Sequence, residues 1–266
     1  RVEPRTFVRD LQHVLDRAGL ETALRGCQAA YYLVHSMNPM TTDYAATDRE
    51  AAENMVAAAA AAGIGRIIYL GGLGEEAPQL SRHLRSRHEV GEILRRGSVP
   101  VTVFRAAMII GSGSGSFEIL RYLVERLPVM ITPKWVETRI QPIAIRDVLA
   151  YLVGCLLNPE TAGQAFDIGG HEIFTYVEMM QKYAEARGLA KRFIVRVPVL
   201  TPMLSSYRVD LMTPIPSGIA HPLIEGLRNE VICKDSRIDR FVPITKTPFK
   251  DAVLTAFSEE TDGPGV

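Results

Sequence analysis

The stretch 70–94, LGGLGEEAPQLSRHLRSRHEVGEIL, puts His83 and Arg87 one helical turn apart, just after Gly71 and Gly72 at a strand end. Histidine exchanges a proton near neutral pH. Arginine keeps its proton, but its planar fork holds hydroxyls and anions. A histidine beside a fixed guanidinium has its charged form disfavoured, which makes it a weak proton donor. The pair therefore reads either as a catalytic acid with its cation or as a polar helix face. His35 closes the run AAYYLVH and is a second candidate, because it stands at a strand end. Residues 111–116, GSGSGS, also follow a strand and open a helix. Their hydroxyls and amides suit an anion, and their composition equally suits a connector.

The elements that must position these residues alternate between two periods. RTFVR (5–9), AAYYLV (29–34), RIIYL (66–70) and VTVFRAAMII (101–110) read as strands. Helices intervene: GLETALRG ended by Gly26, DREAAENMVAAAAAAG (48–63) with acidic residues in its first turn, and SRHEVGEILRRG (86–97). This order argues for a mostly parallel sheet with helices on both faces. Beyond Ser116 the pattern predicts the helix FEILRYLVERLP, a short strand and a helix starting near Asp147, the strand QAFDIGG, and the helix TYVEMMQKYAEARG. Residues 198–222, rich in Pro, Ser and Met, read as short helices and loops around an apolar cleft. TPFKDAVLTAF closes the pattern, with Thr247 as N-cap and Pro248 at the first helical position. The chain reads as one body: a core over 1–170 and a mostly helical substrate lobe over 171–266.

Composition narrows the function classes. Thirty basic residues balance thirty acidic ones, with 47% hydrophobic and 23% charged residues in 266. That is a globular balance with no nucleic-acid or anionic-membrane footprint. The apolar runs 148–157 and 55–65 are too short to cross a bilayer. RVEPRTFVRDL has no apolar core, so no signal peptide is expected there. Cys27, Cys155 and Cys233 are far apart and form no CxxC, which suits free thiols in a reducing cytoplasm and no metal site.

The series YYLVHSM, RIIYLGGLG, VTVFRAAMIIGSG, QPIAIRDVLAYL and FDIGG, in that order, resembles the atypical, extended short-chain dehydrogenase/reductase family. Within it the resemblance is to the NAD(P)H-binding branch of nucleoside-diphosphate-sugar-epimerase-like and NmrA-like proteins. It implies a Rossmann-like fold with NAD(P) across the C-terminal strand ends. It also implies that Asp10, with Leu11 beside it, meets the adenine, while Leu33, Val34 and His35 line the cofactor. Leu70, Gly71 and Gly72 would pass behind the nicotinamide, and Arg105, Ala106 and Ala107 would cover its other side. The family's catalytic Ser, Tyr and Lys fall on Gly71 or Gly72, His83 and Arg87. Its first β-α-β unit, which holds the pyrophosphate, has no counterpart before Arg5. NADP(H) is thus the expectation for a full-length version, with weak or no binding by these 266 residues.

The same resemblance places Ser112 and Ser114 on the substrate side, with Trp135 and Gln141 beside them. Trp135 reads either as a stacking platform for a planar or isoprenoid substrate or as surface packing. Two functions follow from the resemblance: an oxidoreductase acting on an apolar carbonyl or quinone-like compound, or a non-catalytic nicotinamide-responsive regulatory or assembly protein. The strand 29–34 is expected to have one bare edge, capped either by RTFVR or by another chain through self-association.

Overall fold

Short runs of β-branched and aromatic residues build one parallel sheet, and alanine-rich or amphipathic stretches build the helices on it. The protein is described here by a computed structural model covering residues 14–35, 44–74, 80–197 and 214–262. The elements run α1 (Arg17–Leu24), β1 (Ala29–Tyr32), α2 (Tyr44–Ala62), β2 (Arg66–Gly72), α3 (Arg82–Arg95) and β3 (Val101–Ala106). Then come β4 (Ile109–Ile110), α4 (Gly115–Arg126), β5 (Val129–Pro133), β6 (Arg139–Ile140), β7 (Ile143–Ala144) and α5 (Ile145–Leu157). The rest are β8 (Ala165–Ile168), β9 (Phe174–Thr175), α6 (Tyr176–Ala186), β10 (Phe193–Val197), α7 (Ser217–Gly226), α8 (Ile238–Phe241) and α9 (Phe249–Asp262).

The main sheet has the order β1-β2-β3-β8, every pair parallel. Successive side chains of β2 face opposite ways and both faces are covered, as parallel sheets require. Ile67 and Tyr69 pack under α1, α2 and α3 with Leu20, Met55, Leu94 and Val103. Ile68 packs on the other face with Phe104, Tyr151, Phe166 and Ile238. Arg66 opens β2 in a buried position and donates to the Thr102 and Thr161 hydroxyls and to the Cys155 and Asn158 carbonyls. The guanidinium so satisfies carbonyls at the end of α5, where a cation suits the helix dipole. A further cluster joins Leu73, Met108 and Phe117 to Tyr183, Val231 and Phe249, so the C-terminal third packs on the sheet end.

Several boundaries differ from the sequence reading. The helix placed at 48–63 begins at Tyr44, so no acidic residue lies in its first turn. Asp48 instead falls on the buried stripe of Ala51, Ala52, Met55, Ala58 and Ala59. Helix α9 begins at Phe249, and the Thr247 hydroxyl donates to Asp147 Oδ1 at 2.7 Å rather than capping the helix. The Phe249 N–H is taken by Glu172 at 2.6 Å. The run 101–110 breaks into β3 and β4, and AAYYLV is a strand only through Tyr32. A second parallel pair, β5 with β10, was not foreseen.

Among the described residues β1 pairs with β2 alone, so its outer edge is open. RTFVR lies outside the described residues. No helix among them is long and apolar enough to cross a membrane.

Candidate functional site

Because the strands are parallel, their C-terminal ends share one edge of the sheet, where open α/β folds hold ligands. The chain leaves β1 through Leu33, Val34 and His35, and β2 ends in Leu70, Gly71 and Gly72. Pairing sets Gly71 beside Arg105 and Gly72 beside Ala106. The Leu73 N–H, donating to the Ala106 carbonyl at 2.8 Å, carries the pairing one residue further, towards Ala107. Ser81 caps α3 by accepting the Leu84 N–H at 3.3 Å, which fixes where the helix starts.

One turn in, Arg87 reaches back to the strands. Its guanidinium donates to the Leu70 carbonyl at 2.8 Å and to the Val34 carbonyl at 3.2 Å. It lies over the Tyr69 ring, 5.4 Å from the centroid, while the Tyr69 hydroxyl donates to the Arg87 carbonyl at 2.9 Å. The arginine thus braces two strand ends as well as bringing a charge to them. His83 and His35 complete the group, close enough for each to respond to the Arg87 charge.

Burial sets the protonation of this cluster. It lowers the His83 pKa to about 4, helped by Arg87 and His35 and opposed by Asp48. His35 keeps an accessible edge, yet burial of the rest and then Arg87 push it down too. Tyr69 is pushed up to about 12 by burial, and Tyr32 is raised for the same reason. At neutral pH both imidazoles are therefore neutral, each with one N–H to donate, and neither tyrosine ionises. The cluster can hold an anion and polarise an oxygen, but it has little capacity to deliver a proton.

A side chain at Gly71 would meet a fixed ring, whereas at Gly72 only a leucine methyl would have to shift. A Cβ on Gly71 would stand 2.9 Å from Cε1 of the fully buried Tyr69 ring. On Gly72 it would stand 2.8 Å from a Leu84 methyl.

The remaining candidates are spread out. Arg105 pairs with the buried Asp167 at 2.7 Å, and Asp167 also accepts the Lys234 N–H at 3.0 Å. Gln141 is occupied by its own chain, donating to the Gly170 carbonyl and accepting from the Cys233 N–H. Ser112 is exposed, and Ser114 precedes α4 without a side-chain cap bond. Gly113 between them has φ +75°, a conformation that favours glycine. Trp135 lies in the 3-10 turn Lys134–Glu137, and its side chain is outside the described set. Asp10, Leu11 and residues 198–213 are outside it as well. Asp48 and Ser86 escaped the sequence reading: the Ser86 hydroxyl donates to the buried Asp48 carboxylate at 2.8 Å. The spacing 48, 51, 52, 55 was the available signal, since it puts Asp48 on the apolar stripe.

No family model matches the sequence. Among curated proteins, a (4-alkanoyl-5-oxo-2,5-dihydrofuran-3-yl)methyl phosphate reductase from Streptomyces griseus is 28% identical over 185 residues, 67% of this chain. The match spans 58% of that protein's length. Among solved structures, an NADPH-dependent quinone oxidoreductase from Escherichia coli, complexed with NADPH, superposes with a TM-score of 0.69 at 17% identity. That match covers 92% of this chain and 81% of the other. A triphenylmethane reductase from Citrobacter sp., complexed with NADP(H), gives 0.68 at 18% identity, covering 93% and 81%.

Proposed function

We propose that this chain, whose Rossmann-like α/β fold is that of these NADPH-complexed structures, is an NAD(P)H-binding reductase of the atypical short-chain dehydrogenase/reductase type, acting at the strand edge described above on an electron-poor, conjugated, largely apolar compound such as a quinone. The observation that carries the reading is the pair of neutral imidazoles, His35 and His83, beside a braced Arg87 at the ends of a parallel sheet.

The donor set suits an anionic dinucleotide: Arg87 brings positive charge to an edge where the imidazoles add none, while the Arg105 charge is met by Asp167. Leu33, Val34, His35, Leu70, Gly71, Gly72, Ala106 and Ala107 would line it. When bound, NAD(P)H supplies a hydride. The chain's part is to hold, orient and keep water away. His83, neutral, would donate its N–H to an acceptor oxygen as negative charge grows there. With no good proton donor in the cluster, acceptors whose reduced anion can take its proton from solvent after release fit best, and quinones are of that kind. Residues 171–266 would form the substrate lobe, with Ser112, Ser114 and Trp135 on its near side. Cys155 and Cys233, raised to about 11 and 12 mainly by burial, would stay protonated thiols, as suits a cytoplasmic location.

The test is NADPH titration of a full-length version, followed by turnover with a panel of quinones and aldehydes. Saturable binding with quinone-dependent NADPH oxidation is expected, and a hydrophobic quinone should quench the single tryptophan, Trp135, saturably. Absence of NADPH binding would overturn the reading. Binding without turnover on any acceptor would favour a nicotinamide-responsive regulatory protein, a role consistent with the glycines at the serine position.

A further inference from the structure

Helix α3, which carries His83 and Arg87, starts with a cap that it cannot complete by itself. Ser81 accepts the Leu84 N–H, which is one half of a capping box. The other half needs an acceptor at the third helical position that reaches back to the Ser81 N–H. That position is Leu84, which has none to offer. Helix α6 shows the complete form: Thr175 Oγ1 accepts the Glu178 N–H at 3.2 Å, and Glu178 takes the Thr175 N–H at 2.7 Å. In α3 the missing acceptor comes from 148 residues away, where Asn229 Oδ1 takes the Ser81 N–H at 3.1 Å. Ser81 is only 2% exposed, so water is a poor substitute there.

The C-terminal third fixes Asn229 in turn. Its N–H closes the end of α7 by donating to the Gly226 carbonyl at 3.0 Å. Helix α7 is seated on α4, with Ala220 and Ile224 packed against Ile119. Two residues on, Val231 donates to the Arg139 carbonyl at 3.1 Å and accepts the Gln141 N–H at 3.0 Å, which pairs the segment along β6. The Val231 side chain is buried with Leu73 at the β2 end and with Leu80 and Leu84 around the α3 cap.

We propose that Asn229 is a positioning residue for this site: by completing the α3 cap from outside the helix, it keeps the first turn formed and holds His83, and Arg87 one turn further, at the strand ends. Its part in nicotinamide binding rests on the functional reading above; the cap does not. Asn229 acts through the helix, and so ties the C-terminal third to the edge where the strands end.

The test compares Asn229→Ala with Asn229→Asp, which keeps an acceptor, by hydrogen exchange without ligand. In Asn229→Ala the amides of Leu84 and Arg85, both bonded to Ser81, should exchange about tenfold faster. Helix α6, with its own capping box, should stay as protected as in the parent, and Asn229→Asp should exchange like the parent throughout. A histidine NMR titration of Asn229→Ala should show the His83 midpoint rising from about 4 towards 6.5. The loosened turn readmits water, while Arg87, His35 and Asp48, the groups that act on His83, are all retained. If Asn229→Ala does not fold but Asn229→Asp does, with parental α3 protection, the cap is supported. If Asn229→Asp frays or unfolds as Asn229→Ala does, or if Asn229→Ala leaves α3 unchanged, the proposal is overturned. In a full-length version Asn229→Ala should also weaken NADPH at least about threefold. A frayed α3 with an unmoved His83, or with unchanged NADPH affinity, would overturn the positioning role. A parent that binds no NADPH would count against the functional reading and leave the cap standing.

Discussion

Tyr69 and Arg87 hold each other from both ends: the Tyr69 hydroxyl donates to the Arg87 carbonyl, and the Arg87 guanidinium lies over the Tyr69 ring. The ring is fully buried, so the cation above it has little freedom. Removing the guanidinium leaves the Val34 and Leu70 carbonyls short of a charged donor, at a cost of about 1.5–3 kcal/mol. Arg87→Ala should lower the melting temperature and weaken NADPH at least about tenfold, roughly 1.4 kcal/mol. His83→Ala should leave NADPH affinity within about twofold, under 0.5 kcal/mol. Titrations that rank the two variants the other way would remove Arg87 from the site.

The low His83 pKa has a consequence for stability. Above the ordinary histidine value of 6.5, folded and unfolded chains are both neutral at this residue. As pH falls below that value the unfolded chain binds a proton that the folded one refuses until about pH 4. Stability is therefore full above the ordinary value and declines across that window as pH falls. His35 adds to the slope with the same sign. Urea midpoints at neutral and mildly acid pH should differ less in His83→Gln than in the parent. An equal difference in both proteins would contradict the lowered pKa.

Gly71→Ser tests whether the site has space for the hydroxyl it lacks. The new Cβ would meet the Tyr69 ring, so a loss of about 1–3 kcal/mol is expected, the usual cost of overpacking a core. Quinone reduction should not rise. A variant that melts like the parent and gains activity on aldehydes would show that the ring yields.

Asp147 is a second place to test, far from the cation. Its carboxylate accepts the Thr247 N–H at 2.8 Å and hydroxyl at 2.7 Å from a buried position. Asp147→Ala should destabilise the protein by about 1–3 kcal/mol through unpaired polar groups. Hydrogen exchange should speed up first in α9, which these contacts dock. Unchanged protection of Phe249 to Ala256 would argue that Glu172 alone suffices.

Much of the sheet was legible because parallel strands buried on both faces read as continuous apolar runs, as RIIYL and VTVFRA do. The pair His83 and Arg87 was legible from spacing, but the helix that carries it, read at 86–97, begins at Arg82. What Arg87 does was not legible. Its partners are main-chain carbonyls of Val34 and Leu70, 53 and 17 residues away, and carbonyls carry no sequence signature. Asp48 was misplaced because an acidic residue near an expected helix start looks like a dipole partner, whereas the helix already runs at Tyr44. Thr247 was misread for a related reason: a threonine before a proline resembles an N-cap, but a carboxylate 100 residues earlier in the chain claims its hydroxyl. The β5/β10 pair joins residues too distant for local pattern to relate.

The buried Arg66 bears on the order in which the chain can acquire its structure. Its side-chain acceptors lie downstream, Thr102 at a separation of 36 residues and Thr161 at 95. While the polypeptide is being synthesised, the guanidinium at the start of β2 has no complete set of partners until the segment through Thr161 has left the ribosome. Until then the cation must stay hydrated, and β2 cannot close under α5. The sheet is in this sense a late, long-range assembly, the kind that folds slowly and exposes apolar strands while it waits. A fragment ending before α5 would carry most of the strand-end residues of the candidate site and still be unable to settle the sheet that presents them.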